Sequence, residues 1–208
     1  MLSDESDTTH EHERASQSAK KVYILAGVTT SFEMADWTMT QVAKWFERKF
    51  EFSFPVELYP NLLVRLRGTP ARLEELVRGC PAERMVEAPE GKWSAQEHAG
   101  HLLQLEPLWM ARVEDFLSGH AEMTVADLTN RSTFEAQFNK QPLERILTNF
   151  RRTRLELVHR VDAAGPASFK RTLAHPRMKT PMRLVDHLLF VAEHDDHHLA
   201  IIWEMIRK

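Results

Sequence analysis

From about residue 54 onward, apolar residues recur at intervals of three and four, the spacing that turns one face of an α-helix towards a core. In "YPNLLVRLRGTPARLEELVRG", Leu62, Leu63, Leu66, Leu73, Leu76 and Val77 share such a face, with Pro60 suited to a first turn and Gly79 to the end. Pro70 lies inside without breaking the period, which predicts one kinked helix. "CPAERMVEAPEG" then reads as a loop. The next helix opens in "WSAQEHAGHLLQLEPLWMARVEDFLSG", where Ser94 with Glu97 three residues on forms a capping box, and Gly119 stops it. Its inward stripe runs through His98, His101, Leu102, Leu105, Leu108, Trp109, Arg112 and Phe116. Pro107 deprives the Leu103 carbonyl of its amide partner, so a local bend is expected.

Residues 119–141 hold turn formers and short apolar pieces, a long connection with room for a short helix, of the kind that often covers a site. A third helix is predicted from Pro142 to about Val161. It turns Leu143, Ile146, Leu147, Phe150, Leu157 and Val158 inward and carries Arg145, Arg151, Arg152 and Arg154 on its other faces. After a loop at 162–179, Thr180 and Pro181 read as N-cap and N1 of a last helix running nearly to Lys208. Four long amphipathic helices with no convincing strand pairs predict an all-α fold, a four-helix bundle over residues 54–208. In front of it, residues 1–20 are polar and read as a disordered tail. Residues 21–53 form an extension of ambiguous pattern, with Met34 and Met39 as alternative starts of a shorter chain.

Composition narrows the function. Twenty-seven basic residues against 30 acidic ones leave a net charge of −3, and no basic run is interleaved with aromatics, which argues against a nucleic-acid partner. "KKVYILAGV", at residues 20–28, is too short to span a bilayer and follows some twenty polar residues, so no membrane partner and no secretory signal are expected. A single cysteine, Cys80, forbids an intramolecular disulfide and points to a reducing compartment, hence a cytoplasmic protein. Cys80 stands beside Pro81 with no paired histidine, a poor nucleophile. The expected partner is a small molecule.

The eleven histidines carry the candidate chemistry. In "EHDDHHLA", His194 and His198 lie four residues apart, one turn above each other, the spacing by which one helix offers two imidazoles to a metal ion. His187 is on the same stripe but about 10 Å away at the helical rise per residue, too far to join them. His197 is rotated off by about 100°. A third ligand has to come from another helix, and the second helix offers His98 and His101, between which periodicity does not choose. Three neutral nitrogens leave a coordination position open, as catalytic sites do. Zinc or nickel suits nitrogen donors, with manganese or ferrous iron as further candidates. The bland reading is a solvated histidine-rich face, with His98 and His187 as satisfied inner histidines. The acids Glu193, Asp195 and Asp196 read mainly as surface, one of them able to orient a ligand imidazole. "HEH" at 10–12 is incidental, and Trp93, Trp109 and Trp203 read as core or pocket lining.

"GKWSAQEHAGHLLQLEPLW" followed far downstream by "LVDHLLFVAEHDDHHLAII" resembles the DinB-like (DinB/YfiT-like) superfamily of metalloenzymes over about residues 50–208. The resemblance implies an up-down-down-up four-helix bundle with a long crossover, frequently a homodimer. It also implies a metal triad of one histidine on the second helix and an H-x-x-x-H pair on the last. Carried over, these are His101, His194 and His198, so the resemblance selects His101 over His98. Gln104 stands where many members carry aspartate, and Ile201 where many carry glutamine. The implied activity is that of a divalent-metal-dependent enzyme, first a thiol-dependent S-transferase using a low-molecular-weight thiol as cosubstrate, and second a metal-dependent hydrolase. A non-catalytic metal-binding or dimerising bundle is the rival. None of these readings singles out a general base.

Overall fold

In the computed structural model, which describes residues 42–207, four long helices carry the pattern read from the sequence. The polar tail, "HEH", Met34 and Met39 lie outside the described residues. Helix α1 spans Tyr59–Val77 and is followed by a short α2 (Ala82–Val86) and by α3 (Ala95–Ser118). A short α4 (Arg131–Glu135) interrupts the long connection to α5 (Leu143–Asp162), and α6 (Leu184–Ile206) is the last. Among the described residues, no helix is long and apolar enough to cross a membrane.

Side-chain partners give the helix directions. Rising through α1, Arg65 bonds Glu193 and Arg72 bonds Asp196, while Arg84 beyond it reaches the Met205 carbonyl, so α1 and α6 run parallel. On α5, Arg154 reaches the Leu66 carbonyl and Arg151 reaches Glu74, so α1 and α5 are antiparallel. Glu106 pairs with Arg154 and Glu114 with Arg160, which sets α3 parallel to α5. The order is therefore up-down-down-up, as expected. Because α3 and α5 point the same way, the chain between them has to travel back along the bundle, and this explains the length of the 119–142 connection.

Ser94 caps α3 in the manner expected: its hydroxyl accepts the Glu97 amide at 3.1 Å, and its own amide donates to the Glu97 carboxylate at 2.8 Å. Gly119 closes the helix at φ 74°, a left-handed conformation that favours glycine. Gly100 is required for a different reason. A Cβ there would stand 2.1 Å from the Phe138 ring, so the connection can lie against α3 only where α3 has no side chain.

Three expectations are corrected. The 80–92 segment contains α2, which buries Met85. Thr180 and Pro181 do not open the last helix. Pro181–Arg183 forms a strand, β2, antiparallel to β1 (Thr172–Ala174), and α6 starts only at Leu184. Arg183 sits before the helix in extended conformation, and the Asp186 carboxylate accepts from both its amide and its guanidinium. Arg154 is not on an outer face but is fully buried, at 0% exposure.

The burial of Arg154 organises the core. One apolar cluster includes Leu62, Leu66, Val113, Phe116, Leu157 and Leu188, and a second includes Leu73, Val77, Leu102, Ile146, Phe150 and Ile202. On each long helix a buried polar residue falls between the two, Thr69, Glu106, Arg154 and Asp195, and on α6 Asp195 is flanked by the buried His194 and His198. Arg154 donates to Glu106 and to Asp195, Thr69 donates to Asp195 at 2.8 Å, and Arg154 also reaches the Leu66 carbonyl. Pro70 has no amide to offer that carbonyl, so the guanidinium takes the place of the missing helix bond. Burial pushes the Glu106 carboxyl up to about 7, against the pull of Arg154.

Candidate metal centre

On either side of Asp195 on α6, and on the inward face of α3, the histidines converge. His101, His194 and His198 are 4%, 5% and 6% exposed, and one ligand nitrogen from each lies within 4.8 Å of the others. His194 Nε2 and His198 Nε2 stand 3.2 Å apart. Two nitrogens bound tetrahedrally to one zinc ion at about 2.0–2.1 Å would be separated by about 3.3 Å, so this spacing suits a shared ion. Burial holds the His101 imidazole down at about 3, and burial with mutual repulsion holds His194 and His198 well below the ordinary value. All three are neutral near pH 7 and keep a lone pair for a cation.

The other ring nitrogens decide which lone pair is free. His101 Nδ1 lies 3.0 Å from the Thr133 hydroxyl, and His198 Nδ1 lies 2.8 Å from His98 Nδ1. If Nδ1 of His101 and of His198 carries the proton and donates it, the lone pair on Nε2 of each is left for an ion, with His98 accepting through its own Nδ1. His98 is thus a partner of His198 rather than one of the three. His194 Nδ1 has no partner among the described residues, and neither nitrogen of His187 has one, so the reading of His187 as a satisfied inner histidine is corrected.

The acids of "EHDDHHLA" separate. Asp195 belongs to the buried layer with Arg154, whereas Glu193 and Asp196 pair with Arg48, Arg65 and Arg72 at the α1–α6 edge. None of the three bonds a histidine of the cluster. His197 is half-buried, its ring 5.6 Å from Trp45, and it lines the same cavity as His194 and His198. Among the described residues, the Cys80 thiol makes only a long contact, to the Pro81 carbonyl. Of the α5 arginines expected to be outward, Arg151 pairs with Glu74 and Arg152 with Glu156, whereas Arg154 lies in the core.

The cluster opens onto a cavity of about 490 Å³ with walls that include Trp45, Trp93, Leu105, Leu108, Trp109 and Phe190. Its size is ordinary for a small-molecule site. Trp93 lies 4.7 Å from His101, and Trp109 lies 5.6 Å from His194. Trp203, by contrast, is 49% exposed and away from it. Periodicity could not reveal Trp45, which precedes the helices and rests 5.0 Å from His194, or Thr133 on α4.

A helical bundle with three buried imidazoles turned towards one cavity is the form of a metal-binding four-helix protein. The sequence matches the family model of the DinB superfamily over residues 65–202, and the chain belongs to that superfamily. Among solved structures it is similar to YfiT from Bacillus subtilis, described as a probable metal-dependent hydrolase with an unusual four-helix bundle topology. The two share 20% identity at a TM-score of 0.68, over 77% of this chain and 93% of that one. No curated protein is significantly similar to the sequence.

Proposed function

We propose that the protein is a metal-dependent hydrolase of small molecules, with His101, His194 and His198 as ligands of one divalent ion. What carries the reading is that three buried neutral imidazoles from two helices turn their nitrogens to one point beside a cavity of about 490 Å³. Zinc or nickel suits the three nitrogens. A bound divalent ion would supply Lewis acidity, lowering the pKa of a water or thiol and polarising an electrophilic group. The chain's own contribution is orientation and a wall against bulk solvent. Thr133 and His98 hold the His101 and His198 rings, and Trp45, Trp93 and Trp109 wall the site against solvent. The similarity to YfiT supports hydrolysis as the reaction class. Thiol-dependent S-transfer would need the same cavity to admit a thiol beside the electrophile.

The test is metal analysis together with turnover of a chromogenic ester, with and without added thiol. The wild type is expected to carry about one divalent ion per chain and to turn over ester without thiol, and His194→Ala to lose both. Absence of stoichiometric metal, or metal retained in His194→Ala, would sink the reading, and an absolute requirement for thiol would make the protein a transferase. Thr133→Val is expected to weaken metal affinity by about tenfold, and Thr133→Ser to restore it, measured by competition with a chelating dye. Equal affinities in the three proteins would remove Thr133 from the site.

A further inference from the structure

The far end of the cavity has a chemistry the histidine cluster does not explain. Arg112 lines it and is only 2% exposed, yet no carboxylate lies within ion-pairing distance of its guanidinium among the described residues. One of its nitrogens, Nε, donates to the Thr124 carbonyl at 2.9 Å. Asp115, which attracts Arg112, is itself taken up by His120 and by the amide and hydroxyl of Thr124. His175, also in the cavity wall, is 2% exposed. Its Nδ1 accepts the amides of Arg177 and Met178, both at 3.2 Å, which places the neutral ring's proton on Nε2. That Nε2–H is buried and has no acceptor among the described residues. At the rim, Arg177 and Lys179 are matched in number by Glu122 and Asp127, all four exposed, so the unmatched charge is the interior one.

Two buried groups, each with donors left over after its protein bonds, make a place for an oxyanion, because a guanidinium fork matches carboxylate and phosphate alike. The Trp109 ring centre lies 5.6 Å from the Arg112 guanidinium carbon and 5.6 Å from the His194 ring, so the indole bridges the two ends. We propose that the cavity takes a small molecule with an apolar body and a carboxylate or phosphate head. The head seats on Arg112 and His175, and the body lies along Trp109 towards His194. This deepens the hydrolase reading, on which it rests for the reaction at the other end, by naming the class of substrate.

The test compares 3-phenylpropionate, phenyl phosphate and the uncharged 3-phenylpropionamide by calorimetry on the zinc-loaded full chain, on His194→Ala and on Arg112→Met. At least one anion is expected to bind the wild type and His194→Ala about tenfold or more tighter than the amide, and Arg112→Met to erase that preference. The tighter anion identifies the head. Equal affinity for anions and amide, no binding of any probe, or a preference that survives Arg112→Met would overturn the proposal. So would a preference lost in His194→Ala, since the head would then sit at the histidines. Should Arg112→Met fail to fold, a crystal structure of the wild type with phenyl phosphate decides: a phosphate on Arg112 supports the proposal, and one anywhere else refutes it. Because His194→Ala tests the anion end without the metal centre, failure of the hydrolase reading leaves a distinct result.

Discussion

Arg154→Leu is expected to destabilise the protein by about 3–5 kcal/mol, the range for breaking a buried ion pair by removing one partner. The substitution deletes the one cation that two buried carboxylates share, Glu106 at 2% and Asp195 at 0% exposure. It also strands the Leu66 carbonyl and leaves Asp195, among the described residues, with Thr69 alone as a side-chain partner. Equilibrium denaturation in urea measures the loss. Replacing all three charged members by leucine, in contrast, is expected to recover most of it, because desolvation of the ions opposes their attraction. A single substitution within 1 kcal/mol of the wild type would show that the layer between the two apolar clusters does not hold the helices together.

That layer shows where hydrophobic periodicity reads the chain well and where it fails. Leu147, Phe150, Leu157 and Val158 predict the buried face of α5, and Arg154 stands on that face four residues after Phe150, but its charge assigns it outward. Only the tertiary partners, a carboxylate on each of two other helices, make burial tolerable, and these are 48 and 41 residues away in sequence. The β1–β2 hairpin escapes for a related reason. Three-residue strands are too short for alternation to register, and Thr-Pro is a sound helix start until pairing of Pro181 with Ala174 claims it.

The candidate site divides in the same way. Spacing on one helix is a local property, so the His194/His198 pair is legible from the residues. The choice of His101 over His98 depends on how α3 is rotated against α6, which the family resemblance supplies and periodicity does not. Thr133, Trp45 and His175 reach the site from short or irregular segments, where no period marks an inward side. Arg112 does fall on the predicted inward stripe, and its function follows from being there without a carboxylate.

Acid is expected to weaken the fold through His187. The ring is 0% exposed, packed 5.8 Å from Trp109 and 5.9 Å from Phe116, and burial, with Arg112 and His175 nearby, lowers its pKa well below the ordinary value. A depressed folded-state pKa means that the unfolded chain takes up the proton first, so stability is full above about pH 6.5 and falls as the pH drops below it. For an imidazole kept neutral in the folded state, the loss between pH 7 and pH 5 is about 2 kcal/mol. His175, lowered to about 4 by burial and by Arg112 and Arg177, acts in the same direction. Glu106, raised to about 7 by burial, acts in the opposite one, since its contribution grows as the pH falls towards 4.5, and by a similar amount. His175 and Glu106 therefore nearly cancel, and His187 tips the balance among these three. Comparing wild type with His187→Leu isolates its share, with both proteins chelated so that metal binding does not enter. The variant is expected to match or exceed wild-type stability at pH 7, because both ring nitrogens lack partners, and to lose about 2 kcal/mol less on going to pH 5. Parallel stability curves from pH 7 to 5 would mean that His187 does not stay neutral for want of a partner.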